Sequence, residues 1–184
     1  LWGIILSFNL KKTLIIFCLI IFSFFAIKIT FLNIASDSSC AFCDDNILSK
    51  QVFYQDDFVM GLCSHKPINP GHCLVIPKRH ITRFEELNVD EIVSTANLIK
   101  KINKVVQKVF GDSIYIILQK NGKGLQSVPH VHFHYIPEKG EGNFFSSINY
   151  FWKFFIEVFK RPISDEKLAF NVENMRKEIV NVEI

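Results

Sequence analysis

The first stretch of the chain is almost devoid of polar positions. Thr13 to Ile27 carries no charge, Lys28 interrupts, and Ile29 to Leu32 resume the apolar character. That length suits a signal-peptide core, and with Lys28 snorkelling towards water the run through Leu32 can just span a bilayer. Lys11 and Lys12 in front of it favour a cytoplasmic N-terminus and an exported body. A buried core helix is the plainer reading, although apolarity on every side does not suit a half-exposed one. The chain begins with Leu and its methionines are Met60 and Met175, so a fragment edge or an overcalled start also accounts for this region. The expectation is a hydrophobic segment over residues 1–35, membrane-attached through 13–32 with its orientation open, and one domain over 36–184.

Beyond residue 36 the rhythm changes. Gln51 to Gln55 and Phe58 to Leu62 are short apolar runs split by Asp56 and Asp57, which predicts a hairpin. Pro67, Pro70 and Gly71 mark a turn, and Cys73 to Ile76 reads as a buried strand stopped by Pro77. Residues 90–110 follow the helical period, with Ile92, Ala96, Ile99, Ile102, Val106 and Val109 on one face, Asn88 as cap, and Gly111 and Asp112 at the end. Ser113 to Leu118 is a predicted strand, Asn121 to Gly124 a loop, and Val128 to Ile136 another strand. Ile148, Phe151, Trp152, Phe155, Ile156 and Phe159 form a greasy helical stripe. Ser164 then caps a last amphipathic helix through Leu168, Val172, Met175 and Ile179. Strands with helices set apart from them predict an α+β fold with an antiparallel sheet.

Charge narrows the function classes. Residues 1–35 hold three lysines and no acid; of 21 basic side chains, 18 therefore remain in the body against 18 acidic ones. A neutral body lacks the field needed to hold a nucleic-acid backbone, so nucleic acid is not expected as a partner. The five cysteines form no obvious disulfide framework. Cys40 and Cys43 have the spacing of a metal knuckle or a redox pair, and without a thioredoxin-like pattern around them metal is the better reading. Zinc thiolates persist in a reducing compartment, which points to a cytoplasmic catalytic domain and pulls against export.

The richest chemistry lies in His130-Val-His132-Phe-His134-Tyr-Ile136. Alternation puts three imidazoles on one face at a spacing of ~6.6 Å, with Val131, Phe133 and Tyr135 towards the core. Such a row either ligates a catalytic metal or presents a nucleophile with supporting neighbours. Gln119, Gln126 and Ser127 offer neutral donors nearby, Gly122 and Gly124 let backbone N–H groups approach a phosphate, and no acid lies within the segment. The flanks favour covalent phosphoester or phosphoramidate chemistry.

The pattern His-φ-His-φ-His-φ-φ over 130–136 resembles the histidine-triad (HIT) superfamily of nucleotide hydrolases and transferases. Cys40-x-x-Cys43, Asn69-Pro-Gly-His72-Cys-Leu-Val-Ile-Pro-Lys-Arg-His80 and Gln126-Ser-Val occur in the family's order, and the bacterial nucleotide-binding branch is the most similar. The resemblance implies a five-stranded antiparallel sheet with flanking helices, usually a homodimer. It implies that His132 attacks the α-phosphorus of a purine nucleotide to give a nucleotidyl-histidine, which water then opens to the nucleoside monophosphate. His134 would bond the phosphate, His130 support the site and His72 stand beside it, with Gln119, Gln126 and Ser127 against substrate. It further implies a structural zinc held by Cys40, Cys43, His80 and His130, and no organic cofactor. Phosphoramidates and dinucleoside polyphosphates are the expected substrates. A non-catalytic nucleotide-binding or regulatory module and a metal-dependent hydrolase are the alternatives.

Some positions depart from the family. Leu125 stands where relatives usually carry Gly, which puts backbone access to phosphate in doubt. Gln119 replaces a common Asn, and the aromatic stretch 144–159 is unusually rich, which suits a core or dimer-contact helix. His65 reads as a surface histidine, and Cys63 and Cys73 as small buried hydrophobes.

Overall fold

The structure, a computed structural model, describes residues 15–23, 40–111, 114–122, 125–138, 152 and 161–183. The chain divides into two compact units, Leu1–Ser38 and Ser39–Ile184. In the first, residues 15–23 are helical (α1) with exposed side chains. Among the described residues no helix is long and apolar enough to cross a membrane. The remainder of the apolar run and nearly all of the aromatic stretch 144–159 lie outside the described residues.

The second unit is α+β. A 3₁₀ turn at Ala41–Cys43 leads into α2 (Asp45–Gln51), a short helix the sequence pattern did not reveal. Then come β1 (Val52–Gln55), β2 (Val59–Cys63) and β3 (Cys73–Pro77), the long helix α3 (Val89–Phe110), β4 (Ile114–Gln119), β5 (Phe133–Glu138) and α4 (Asp165–Ile179). The five strands form one sheet in the order β1-β2-β3-β5-β4, antiparallel at every pairing. The predicted fold class is therefore observed. Gly61 of β2 is dictated by packing, since a Cβ there would meet the Phe53 ring at 2.8 Å.

Helices α3 and α4 cover one face of the sheet. Val59, Cys63, Cys73, Val75, Val131, Phe133 and Tyr135 pack there against Leu98, Ile102, Val105 and Val106 of α3 and all four predicted core residues of α4. Cys63 and Cys73 are the small buried side chains expected. Asn88 caps α3 reciprocally with Glu91, and the Ser164 hydroxyl accepts the Lys167 N–H at the start of α4. A smaller cluster of Phe42, Met60, Leu62, Leu74 and Ile76 lies on the opposite face.

Two sequence expectations fail. Ile92 and Ala96 do not face the core; they are exposed, and Glu91 and Thr95 point inwards instead. Glu91 tolerates burial because Arg79 grips both its carboxylate oxygens, at 3.0 and 2.9 Å. The strand expected over Val128 to Ile136 begins only at Phe133. Residues 130–132 are instead tacked down by the Val131 N–H, which donates to the Ile81 carbonyl at 2.8 Å. Pro77 belongs to β3 as its last residue, where a missing N–H costs least.

Candidate active site

The histidines reach one face by different routes. His134 lies in β5, opposite Leu74 of β3 on one side and Leu118 of β4 on the other. Val131, Phe133 and Tyr135 are drawn into the core under the helices, so His130, His132 and His134 emerge on the opposite face. The alternation read from sequence holds even though the ladder does not extend to it. His130 and His132 are 0% and 3% exposed. Phe42 sets its ring edge-on against both, with centroids 5.9 and 5.2 Å away. His72 arrives from the turn before β3.

A neutral imidazole has one N–H and one lone pair, so the partner of one nitrogen fixes the state of the other. His132 Nδ1 lies 2.7 Å from the His130 carbonyl, which only accepts; Nδ1 therefore carries the proton and Nε2 the lone pair. His130 Nε2 donates to the Pro77 carbonyl at 2.9 Å, which leaves its Nδ1 lone pair facing Cys40 Sγ at 3.3 Å. His72 has the same tautomer as His130, the reverse of His132: its Nδ1 accepts the Ile68 N–H at 3.1 Å, so its Nε2 donates to His134 Nδ1 at 3.0 Å. His134 must then carry its own proton on Nε2.

Burial keeps the three triad rings neutral. It is the first cause lowering the pKa of His130, His132 and His134, and for His134 the value falls from 6.5 to about 2 with help from His72 and His132. The Lys120 charge disfavours protonation of His132 and His134 as well. The result is an unprotonated lone pair at His132 Nε2 near pH 7, next to a neutral N–H donor at His134, ring centroids 5.0 Å apart.

The polar neighbours predicted around this face serve it unequally. Gln126 Nε2 donates to the His130 carbonyl at 2.9 Å, so its amide braces the group that orients His132. Gln119 Nε2 is bonded to the Lys120 carbonyl and to Asn121 Oδ1, which also accepts the Phe84 N–H. Ser127 is exposed, as are His65 and Leu125; the Leu125 side chain, 68% exposed, points away from packing. Phe42 and Lys120 are not singled out from sequence, and Asn69 stands there only as the first residue of the Asn69-Pro-Gly-His72 motif, with no role of its own. The place of Phe42 between the two cysteines is the other available signal.

The four predicted ligand atoms of Cys40, Cys43, His80 and His130 lie within 4.8 Å of one another. Cys43 Sγ is 2.7 Å from Cys40 Sγ and 3.1 Å from His80 Nδ1. Burial and the neighbouring Cys43 push the Cys40 thiol up to about 11, a cost that a divalent cation among these donors would reverse. Two sulfurs and two imidazoles suit a closed tetrahedral zinc site. The triad itself does not converge on one cation, because both nitrogens of His130 are taken, Nδ1 by the cysteine sulfurs and Nε2 by the Pro77 carbonyl.

Residues 47–141 match the HIT domain family. The chain is 39% identical over 93 residues to a bis(5'-nucleosyl)-tetraphosphatase (asymmetrical) of Schizosaccharomyces pombe, covering 50% of this chain and 51% of that one. It is 41% identical over 76 residues to an adenosine 5'-monophosphoramidase of the same yeast, covering 41% of this chain and 54% of that one. It thus spans about half the length of each enzyme. Among solved structures, a Hit-like protein of Bartonella henselae superposes with a TM-score of 0.56 at 27% identity, covering 72% of this chain and 89% of that one.

Proposed function

The chain belongs to the HIT family, and on that premise we propose that it is a nucleotide hydrolase working through a nucleotidyl-histidine. His132 Nε2 attacks the α-phosphorus, forming an N–P bond as the bond to the amine or phosphate leaving group breaks. Water then attacks phosphorus, the N–P bond breaks, and the nucleoside monophosphate departs. Imidazole suits both steps, being an uncharged nucleophile towards an anion and a good leaving group from phosphorus. His134 Nε2–H donates to the phosphate oxygen on which charge develops. Gln119 and Ser127 border the substrate, and His72 holds His134.

The observation that carries this reading is the 2.7 Å bond from His132 Nδ1 to the His130 carbonyl, which leaves Nε2 as the attacking lone pair. The names of the two yeast relatives support dinucleoside polyphosphates and nucleoside phosphoramidates as the substrate classes, with a purine base. Placement in the bacterial branch is part of the same proposal. The test compares hydrolysis of a nucleoside 5'-phosphoramidate and a dinucleoside polyphosphate by the wild type and His132→Ala. A loss on the order of 10³-fold or more is expected; equal rates would remove His132 as nucleophile.

Zinc at Cys40, Cys43, His80 and His130 would tie the 3₁₀ turn bearing Phe42 to the triad and stabilise the fold without entering the reaction. Homodimerisation is supported by β4, a sheet edge whose Ile114, Tyr115, Ile116 and Ile117 are 43, 43, 38 and 47% exposed. Among the described residues no strand pairs with its outer side, and an apolar edge of this kind calls for a partner strand. The reading extends to a cytoplasmic domain, where the thiols stay reduced, with attachment to a membrane through residues 13–32. Light scattering of the purified chain and membrane fractionation test these two parts.

A further inference from the structure

The tautomers of His72 and His134 follow from the backbone N–H of Ile68, which His72 Nδ1 accepts, and the segment that carries it is held from outside the triad. Asn69-Pro70-Gly71-His72 closes a turn in which the His72 N–H donates to the Asn69 carbonyl at 3.1 Å. Pro at the second position and Gly at the third, with φ +85°, are what a type II turn requires. Gly71 also permits close approach, since a Cβ there would stand 3.1 Å from both Val106 and Phe110 and 3.2 Å from Pro137. The turn is thus pressed between the C-terminal end of α3 and the end of β5.

One side chain fixes its height. Asn69 Nδ2 donates one hydrogen to the Pro137 carbonyl at 2.8 Å and the other to Glu138 Oε2 at 2.7 Å. Glu138 is 5% exposed, an uncommon place for a carboxylate and one that costs stability unless its bonds are used. The bonds of Asn69 run to the Pro137 carbonyl and Glu138, away from the triad rings' own hydrogen bonds. They nevertheless begin a continuous relay: Asn69 sets the turn, the turn aims the Ile68 N–H at His72 Nδ1, His72 donates to His134 Nδ1, and His134 presents Nε2–H outwards.

We propose that Asn69 and Glu138 form a buckle that acts as a positioning device, fixing through His72 which nitrogen of His134 carries the proton. This rests on the reading that His134 donates to phosphate. With the buckle opened, the Ile68 N–H no longer specifies His72, and His134 samples the form with its proton on Nδ1. That form offers a lone pair to an anionic oxygen and repels it.

The test is Asn69→Ala beside the conservative Glu138→Gln, which keeps an acceptor for Asn69. Imidazole tautomers are read by long-range ¹H–¹⁵N NMR on ¹⁵N-histidine-labelled protein without substrate. In the wild type and Glu138→Gln, His72 and His134 should both be Nε2–H. In Asn69→Ala, His134 should show a mixture of forms, and kcat on a nucleoside 5'-phosphoramidate should fall on the order of 10-fold with KM within about twofold. Asn69→Ser, with less loss of volume, replaces Asn69→Ala should that variant not fold. A variant that melts earlier but keeps wild-type tautomers and kcat per folded molecule would overturn the proposal. A wild type that shows the tautomers and hydrolyses neither substrate class would fail the hydrolase reading while the NMR shift in Asn69→Ala still upholds the buckle.

Discussion

His130 and His132 stand on either side of Val131, share one face and are both buried, yet the backbone claims a different nitrogen of each. The Pro77 carbonyl takes the Nε2–H of His130, which turns Nδ1 towards the cysteine sulfurs. The His130 carbonyl takes the Nδ1–H of His132, which turns the Nε2 lone pair outwards. The first ring is built into a candidate structural metal centre and the second into the proposed nucleophile. Residue type does not separate these roles; the carbonyl each ring meets does. The two regions meet at the His130 carbonyl oxygen, whose residue belongs to both, and under the Phe42 ring, which packs on both imidazoles.

The sharpest way to separate the regions is to remove one histidine from each. His132→Ala is expected to lose hydrolysis by on the order of 10³-fold or more, with only a modest drop in Tm from loss of the buried ring, and with its zinc retained. His80→Ala, or chelation of the wild type, is expected to release bound zinc and lower Tm by roughly 5–10 °C. Folded His80→Ala should retain most of its turnover. Metal analysis, calorimetry and rates on the same samples give the comparison, and complete inactivation on chelation at a temperature where the fold persists would merge the two regions into one catalytic centre.

Acid provides the next largest effect. His134 is neutral in the folded protein down to about 2, whereas an exposed imidazole takes a proton near 6.5. Below 6.5 the unfolded chain binds a proton that the native state refuses, so stability is full above that pH and declines as pH falls towards 2. Urea midpoints at pH 7.5 and 5 should therefore differ, the lower pH being less stable. His134→Asn should flatten that slope.

The smallest effect expected is at the shared atom. Gln126→Ala removes one of the two donors on the His130 carbonyl and should cost about 1 kcal/mol in transition-state stabilisation, a rate loss of roughly fivefold. Its zinc content should not change. A loss of zinc would show that Gln126 supports the metal side instead.

Much of this was legible in the chain, and what escaped shares a cause. The short apolar runs around Asp56 and Asp57 gave β1 and β2 because turn residues bracket them locally. The alternation of His130 to Ile136 revealed which side chains share a face, but alternation records side-chain direction and not ladder bonds, so the start of β5 was placed too early. Apolar periodicity put Ile92 and Ala96 inside α3, where Glu91 is the residue buried, because the guanidinium that satisfies it belongs to Arg79. The Asn69–Glu138 contact joins residues far apart in sequence; the motif around His72 contains Asn69 but does not name its partner, and Glu138 has no signature of its own. Spacing within a segment was readable; bonds between segments were not.

The central claim is that His132 Nε2 carries the nucleotide between the two steps. Rapid quenching of enzyme with a substrate labelled at the α-phosphorus, followed by mass-spectrometric mapping under conditions that preserve N–P bonds, tests it directly. Label on the peptide containing His132, absent from His132→Ala, is the predicted result. Turnover with label on another side chain, or with no labelled enzyme during the first cycle, would contradict it.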